Sequence, residues 1–290
     1  GVNQRASLAG KGQDVHLLVM SATPIPRTMA LIIYGDLDIT VIDELPPGRQ
    51  KVDTFAVGED KRQRLNGFIR RQAEAGHQVF VVCPAVEENE ESDLKSVEQH
   101  YRELRQALPE LRISVLHGRM KSADKERIMG EFSRGEADVL LSTTVVEVGV
   151  DVPNATLMVV EDADRFGLSQ LHQLRGRVGR GTAKSYCVLV SDARGDNARD
   201  RLRVMCRTND GFVISEEDLR LRGPGDFFGS RQHGLPEMKI ASLSGDMRVL
   251  TAAQEEARHF MANSRELSGK YAGLMARIRL LFEANPDIFN

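Results

Sequence analysis

The sequence predicts an α/β fold, in which a parallel sheet carries helices on both of its faces. Between residues 52 and 191, short apolar runs alternate with longer amphipathic stretches. The runs are apolar throughout, as in QVFVVCP at 78–84, which is typical of strands that are covered on both faces. Beyond residue 193 the alternation ends, so we expect a helical region of a different kind to follow the sheet.

Six apolar runs are predicted to form the strands of this sheet, and the amphipathic stretches between them are predicted to form helices. The acidic stretch at 87–93 is predicted to be a solvated loop, with Ser92 as the N-cap of the helix after it. The predicted strands are 52–57, 78–84, 112–118, 137–143, 155–162 and 184–191, and the predicted helices are 60–75, 94–107, 122–133 and 168–176.

The regions on either side of the sheet show different patterns. VHLLVM at 15–20 predicts a buried strand, and Pro-Pro-Gly at 46–48 marks a linker. Residues 195–208 are rich in arginine and helical in pattern, whereas 211–240 hold many glycines and show little periodicity. Residues 246–282 predict a helical hairpin. The sequence therefore divides into residues 1–50, 51–193 and 194–290.

Composition argues against several classes of protein. Charged residues make up 28% and hydrophobic residues 41%, as in ordinary soluble chains, and no run approaches the roughly 20 apolar residues of a membrane-spanning helix. A net charge of −3 argues against a basic protein that coats nucleic acid, although it is compatible with a local basic groove. Trp is absent and aromatic residues make up 5%, which disfavours base stacking on aromatic side chains. Cys83, Cys187 and Cys206 are far apart and form no CxxC pair, so we expect three buried, reduced thiols.

The strongest chemical signal is QLHQLRGRVGR, at the end of the predicted helix 168–176. It contains Gln173, Gly176, Arg177 and Arg180. Two arginines three residues apart on a helix project to nearly the same side, and a guanidinium can bind a phosphate through two parallel hydrogen bonds. The arginines therefore predict a phosphate site. The alternative is a surface patch of salt bridges, which the neighbouring glycines and the wider pattern disfavour.

A second signal follows the predicted strand 137–143, in the sequence VLLSTTVVEVGVDVP. Thr143 and Thr144 end the strand, and Gly149 and Asp151 come soon after. Ligands of open α/β sheets bind at the carboxyl ends of the strands. Hydroxyl groups there suit phosphate oxygens, and an aspartate suits a ribose hydroxyl. Taken alone, the segment is equally compatible with a structural turn.

Two shorter signals also follow predicted strands. The first is Ser21-Ala22-Thr23-Pro24, and the second is His117-Gly118-Arg119-Met120. Each is weak by itself, because a single histidine at a strand end is more often packed in a turn than bound to a ligand.

In this order along the chain, these segments resemble the later motifs of superfamily 2 helicases. SATP resembles motif III, VFVVCP motif IV, LHGRM the phosphate-contacting loop after it, TTVVEVGVDVP motif V and QLHQLRGRVGR motif VI. The segment 210–240 is similar to the translocation motif that the RecG family shares with the bacterial transcription-repair coupling factor. The end of the chain, LMARIRLLFEANPDIF, resembles a RecG terminus.

The resemblance implies a RecA-like second helicase lobe at 51–193, with the end of a first lobe and a linker at 1–50. It implies a translocation-motif hook and C-terminal helices at 194–290. Arg177 and Arg180 are then arginine fingers, and Gln173, Gly149 and Asp151 contact the nucleotide. The implied residues for DNA binding and coupling are Ser21, Thr23, His117, Gly118, Arg119, Thr143, Thr144, Arg222 and Gln232.

The resemblance also implies ATP with Mg²⁺ as the cofactor, bound mainly by an N-terminal lobe that the chain lacks. The sequence holds no GxxxxGK[ST] loop, and Asp43-Glu44, which is followed by Pro46, fits a linker better than a magnesium-binding motif. We therefore expect the chain alone to have no meaningful ATPase activity. The expected partners are branched double-stranded DNA and the wedge domain and first lobe of the same protein, in a monomer of the bacterial cytoplasm without membrane contact.

Three alternatives to a RecG-type motor remain open at this point. A transcription-repair coupling translocase shares the same motifs but continues into a further domain. A non-catalytic DNA-binding scaffold with a degenerate motor fold is disfavoured by the presence of Gln173, Arg177 and Arg180 together. An unrelated α/β enzyme for small molecules has little support, because the sequence lacks a GxSxG motif and a dinucleotide fingerprint.

Overall fold

The computed structural model of this chain contains a sheet of six parallel strands. Its contacts group Thr40–Leu221 into one unit and the remaining residues into a second unit. The structure describes residues 18, 20, 40–44, 46, 49–84, 90–143, 151–222, 252–253, 255–260 and 271–284.

The strands confirm the predicted α/β fold class. They are arranged in the order β1-β6-β5-β2-β4-β3, so several strands that are consecutive in the sequence are not neighbours in the sheet. All strands except β1 are shorter than predicted by two or three residues, most of them polar residues at the strand ends. The strands are β1 Val52–Val57, β2 Gln78–Val82, β3 Ile113–Leu116, β4 Val139–Ser142, β5 Ala155–Val160 and β6 Ser185–Val190.

Helices connect the strands and continue beyond the last of them. Single 3-10 turns, Glu59–Lys61 and Ala163–Arg165, precede the first and fourth helices. No described helix is both long enough and apolar enough to span a membrane. The helices are α1 Arg62–Glu74, α2 Glu90–Ala107, α3 Ser122–Ser133, α4 Leu168–Arg175, α5 Asp196–Arg207, α6 Gly211–Arg222 and α7 Ala272–Ala284.

The two faces of the sheet are covered by different helices. On β2, Val79 and Val81 pack with residues of α1 and α2, such as Ile69, in one buried cluster. The alternate residues, Phe80 and Val82, belong to a second cluster with residues of α3, α4, α5 and α6. Successive side chains of a strand point to opposite faces, which is why runs that are apolar at every position form this sheet.

Two helices differ from the sequence prediction. Helix α2 begins at Glu90, so Ser92 lies within the helix and not at its N-cap. Acidic residues near a helix N-terminus are favoured by the helix dipole, which explains why the stretch 90–93 is helical. Helix α6 was not predicted at all. Asp210 Oδ1 caps it by accepting hydrogen bonds from the backbone N–H groups of Phe212 (2.8 Å) and Val213 (3.4 Å).

Two further expectations from the sequence are wrong. Cys83 and Cys187 are buried as expected, but Cys206, near the end of α5, is exposed. In the run 15–20, Leu18 and Met20 are exposed and not part of a strand, and the other residues of the run lie outside the described part of the chain. An apolar residue is buried in a strand only where neighbouring strands pair with it, and the six-stranded sheet of the described residues does not include Leu18 or Met20.

Candidate functional site

The described candidate residues divide between the two ends of the strands. Asp151 lies just before β5 begins, Gln173 lies in the last turn of α4, and Arg177 and Arg180 lie between α4 and β6, so these four are near the amino-terminal edge of the sheet. Four others follow the carboxyl ends of strands: His117, Gly118 and Arg119 after β3, and Thr143 after β4. Arg222 ends α6. Ser21, Thr23, Thr144, Gly149 and Gln232 lie outside the described residues.

The two predicted finger arginines lie on a loop, residues 176–181, which we call the arginine loop. Helix α4 ends at Arg175, and Gly176 is its C-cap. The predicted helix 168–176 is thus confirmed to within one residue, and Arg177 and Arg180 lie beyond its end and not at helical spacing. The chain instead leaves the helix through turns, in which the N–H of Arg177 donates to Leu174 O (2.9 Å).

Two glycines allow the arginine loop to pack closely between neighbouring segments. Gly179 has φ +77°, and a Cβ there would lie 2.9 Å from Val52 Cγ2 and 3.2 Å from Gln50 O. A Cβ at Gly181 would lie 2.5 Å from Pro153 O. A side chain at either position is thus excluded, and the loop is held between the segment 50–52 on one side and Pro153 on the other.

Arg180 and Asp151, two of the predicted nucleotide contacts, form an ion pair in this loop. Arg180 Nη1 lies 3.0 Å from Asp151 Oδ1, and Arg180 Nε donates to Gly176 O at 3.2 Å. The two side chains are 27% and 61% exposed. Ion pairs this exposed contribute about 0–1 kcal/mol, so a phosphate group with higher charge can replace Asp151 as the partner of the guanidinium.

Arg175 is a structural arginine that sequence analysis missed. Only 2% of it is exposed, and its Nη1 donates to the carbonyl oxygens of Met205 and Thr208, both at 2.8 Å. These carbonyls belong to the C-terminal end of α5, where cations are favoured. Burial lowers the pKa of Arg175. The residue thus joins α4, and with it the start of the arginine loop, to α5.

His172 is packed beside this buried arginine. Its Nδ1 lies 3.3 Å from Arg175 Nη2. Burial, followed by the charges of Arg175 and Arg49, lowers the pKa of His172 to about 4, so the ring is neutral at pH 7 and can accept a hydrogen bond from the guanidinium. This histidine is therefore part of the support of the loop rather than a charged contact.

Arg49 is a second arginine that sequence analysis missed, because it lies in the segment predicted as a linker. Its Nη2 donates to Gly176 O at 2.9 Å, across 127 positions of sequence. Burial and the charge of Arg180 lower the pKa of Arg49, whereas the charge of Asp151 raises it. Arg49, Asp151 and Arg180 therefore form one charged group at the amino-terminal edge.

The opposite edge of the sheet carries a basic loop after β3. Lys125 Nζ on α3 donates to Gly118 O at 2.6 Å, which fixes the loop against the helix. Arg119 is exposed beside it. His117 Nδ1 is buried without a hydrogen-bond partner among the described residues, and burial, Arg119 and Lys125 lower the pKa of this histidine. Thr143 is only 4% exposed, so little of its side chain is accessible to a ligand.

The other half of the carboxyl edge is organised around a buried ion pair. Arg62, at the start of α1, binds Glu161 through two hydrogen bonds, Nη1–Oε1 at 2.6 Å and Nη2–Oε2 at 2.7 Å. Glu59 also accepts from this guanidinium (Nε–Oε2, 2.7 Å), and the Glu59 N–H donates to Asp192 Oδ1 at 3.0 Å. Burial beside Glu161 raises the pKa of the Cys83 thiol. These four charged residues join the ends of β1, β5 and β6. Because they are one arginine and three carboxylates, their net charge is negative.

Comparison with known proteins gives consistent matches over most of the chain. The family described as the helicase conserved C-terminal domain matches residues 60–182, and the C-terminal part of domain 3 of ATP-dependent DNA helicase RecG matches residues 208–285. The chain is 52% identical to the ATP-dependent DNA helicase RecG of a Synechocystis species, over 99% of this chain and 33% of that protein. It is 47% identical to the RecG of Bacillus subtilis, over 91% of this chain and 39% of that protein.

A solved structure agrees with these matches. The structure of RecG bound to a three-way DNA junction is 48% identical and aligns with a TM-score of 0.66, over 83% of this chain and 31% of that chain. The chain thus spans between about a third and two fifths of the length of the curated relatives described above.

Proposed function

This chain belongs to the RecG family, and from that membership and its two charged edges we propose that it is the second motor lobe of an ATP-dependent helicase that remodels branched double-stranded DNA. The observation that carries the proposal is the arginine loop, in which Arg180 is paired with Asp151 at 3.0 Å. Arg177 lies on the same loop. The loop therefore carries two arginines at one edge of the sheet, where a nucleotide on a neighbouring lobe can meet Arg180.

The arginine loop fits a phosphate group better than any other ligand class. A guanidinium stays charged and offers donors in a plane, which matches the oxygens of a transferring phosphoryl group. ATP is then bound in the cleft between this edge and a lobe that supplies the P-loop. Mg²⁺ bound with the ATP would be held mainly by that other lobe and would supply neutralisation of the phosphate charge. In the transition state, Arg177 and Arg180 stabilise the charge that develops on the γ-phosphoryl oxygens.

Asp151 has two roles in this proposal. Without nucleotide it holds Arg180 in the loop, and with nucleotide its carboxylate is free to accept a hydrogen bond from a ribose hydroxyl. Because the pair is exposed, exchanging the carboxylate for a phosphate costs little.

The basic half of the carboxyl edge is proposed to bind the DNA backbone. A motor that moves along any sequence should contact phosphates and not base edges. Arg119 and Lys125 supply positive charge beside the Gly118 peptide, after β3. The half of this edge at β5, β6 and β1 carries Glu161 and Asp192, which repel phosphates. The proposed path of the strand is thus restricted to the β3–β4 half.

Membership of the RecG family is better supported than two of the three alternatives, the coupling translocase and the degenerate scaffold. The match of residues 208–285 to domain 3 of RecG favours this family over the coupling translocase. A degenerate scaffold has no need of an arginine loop whose glycines exclude side chains on both sides and keep Arg180 beside Asp151.

Replacing Arg119 with alanine tests the proposed DNA contact. In the full-length protein, we expect weaker binding to a three-way junction at low salt and a decrease of about 1 in the slope of log affinity against log salt, because one phosphate contact is lost. The measurement is a fluorescence-anisotropy titration at several salt concentrations. The matched control is Arg127→Ala on α3, whose side chain pairs with Glu131 at 2.7 Å. If the Arg119 variant has the salt slope of the wild type, this loop does not contact the backbone.

A further inference from the structure

We propose that Arg49 is a positioning residue for the arginine loop and connects that loop to the segment before β1. The inference rests on the proposed function, because it concerns how Arg177 and Arg180 are presented to the nucleotide. It assigns a role to a residue that the sequence places in a linker. Three observations support it. Arg49 and Arg180 share a hydrogen-bond acceptor, the segment that holds Arg49 contacts the loop a second time, and the Asp151 carboxylate interacts with both arginines.

The shared acceptor is the carbonyl oxygen of Gly176. Arg49 Nη2 donates to it at 2.9 Å, and Arg180 Nε donates to it at 3.2 Å. A carbonyl oxygen has two lone pairs, so these two donors occupy it fully. The Gly176 peptide is therefore fixed in orientation, and the next residue along the chain is Arg177. One hydrogen bond from Arg49 thus constrains the backbone from which both finger arginines extend.

The same segment also supports the other end of the loop. Gly179 packs against Gln50 O and Val52 Cγ2 so closely that a Cβ would be within 3.2 Å of the first and 2.9 Å of the second. The backbone N–H of Arg49 in turn donates to Pro46 O at 3.2 Å. Residues 49–52 therefore contact the arginine loop at both Gly176 and Gly179, and a displacement of this segment displaces the loop.

The third observation is electrostatic. Arg49 and Arg180 are close enough to share one acceptor, and Asp151 is the carboxylate that interacts with both. One negative charge cannot neutralise two guanidinium groups, so this group of side chains keeps a surplus positive charge. An arriving phosphate supplies the missing negative charge. Because Asp151 also interacts with Arg49, its ion pair with Arg180 is weaker. Arg180 can therefore exchange Asp151 for the phosphate more readily.

Because Arg49 acts through the loop and does not reach the reacting atoms in this proposal, its loss should affect the transition state more than ground-state binding. In the full-length protein, we expect Arg49→Ala to lower kcat for ATP hydrolysis on a three-way junction by about 10- to 100-fold, since a loop displaced by about 1 Å misaligns its catalytic groups. The KM for ATP should change little. Affinity for ADP with aluminium fluoride should fall with kcat, whereas affinity for ADP alone should not.

A conservative variant separates positioning from simple destabilisation. Arg49→Lys keeps a charged donor that can reach the Gly176 carbonyl, so we expect it to restore most of the lost kcat. The matched control is Arg112→Ala. Arg112 lies at the same edge, before β3, and donates to another backbone carbonyl, Gly135 O, at 3.0 Å. Its removal should leave both kcat and KM as in the wild type. Thermal unfolding of each variant monitors the fold.

The result that overturns the inference is a wild-type kcat for a folded Arg49→Ala protein, or a loss that Arg49→Lys does not restore. Arg180→Ala in the same assay separates this failure from that of the proposed function. If Arg180→Ala abolishes turnover and Arg49→Ala has no effect, only the positioning role is wrong. If neither variant has an effect, the arginine loop does not serve the nucleotide, and both proposals fail.

Discussion

Arg180→Ala in the full-length protein is expected to lower ATP turnover on branched DNA by about 10³- to 10⁵-fold, the range found for arginine fingers. The reason is that phosphoryl transfer needs charge stabilisation at the γ-phosphoryl oxygens, and the Arg180 side chain is 27% exposed at this edge. Its present partners, Asp151 and the Gly176 carbonyl, are ones that it can exchange for a phosphate.

The same variant should leave DNA binding unchanged, because Arg180 lies at the amino-terminal edge and the proposed DNA contacts lie at the opposite edge. Steady-state turnover and junction affinity, measured on one preparation, check both expectations. Arg180→Lys provides a second comparison, since it keeps the charge without the planar set of donors and should recover only part of the rate. Unchanged turnover in Arg180→Ala would show that this residue is not a finger.

The second large effect concerns stability. Arg62→Ala should lower the free energy of unfolding by about 3–5 kcal/mol, because it leaves the Glu161 carboxylate buried without its partner. The Glu161 side chain is 3% exposed, and both of its oxygens accept from Arg62. Chemical unfolding of the chain, followed by circular dichroism, measures the change.

Two variants make the interpretation specific. Arg70→Ala, on the same helix, removes an ion pair with Glu110 whose partners are 41% and 43% exposed, so it should cost at most about 1 kcal/mol. Glu161→Gln in the Arg62→Ala background removes the buried charge and should recover part of the loss. Equal effects of Arg62→Ala and Arg70→Ala would contradict a special role for the buried pair.

The sequence predicts the sheet well because strand formation depends on local pattern. Runs such as VFVV at 79–82 are short, rich in β-branched residues and apolar at every position, which is typical of a strand covered on both faces. The order of the strands could not be predicted in this way. Parallel neighbours such as β1 and β6 are separated by more than 120 residues, and pattern does not specify long-range pairing.

The site is only partly visible in the sequence for a related reason. Arg177 and Arg180 stand out because they lie within a recognisable motif. Their geometry, however, depends on a helix that ends at Arg175 and on Gly179, which has a positive φ. Arg49 and Arg175 were missed because their acceptors are backbone carbonyls far along the chain. A backbone acceptor is present at every position, so nothing in the sequence marks it as a partner.

The central claim is that this chain supplies arginines to a nucleotide that another lobe binds. The most direct test compares ATP hydrolysis by the chain alone with that of the full-length protein, both with three-way junction DNA. The account predicts DNA-stimulated turnover by the full-length protein and none above background by the chain alone. Robust DNA-stimulated turnover by the chain alone would contradict it, because the complete nucleotide site would then lie within these 290 residues.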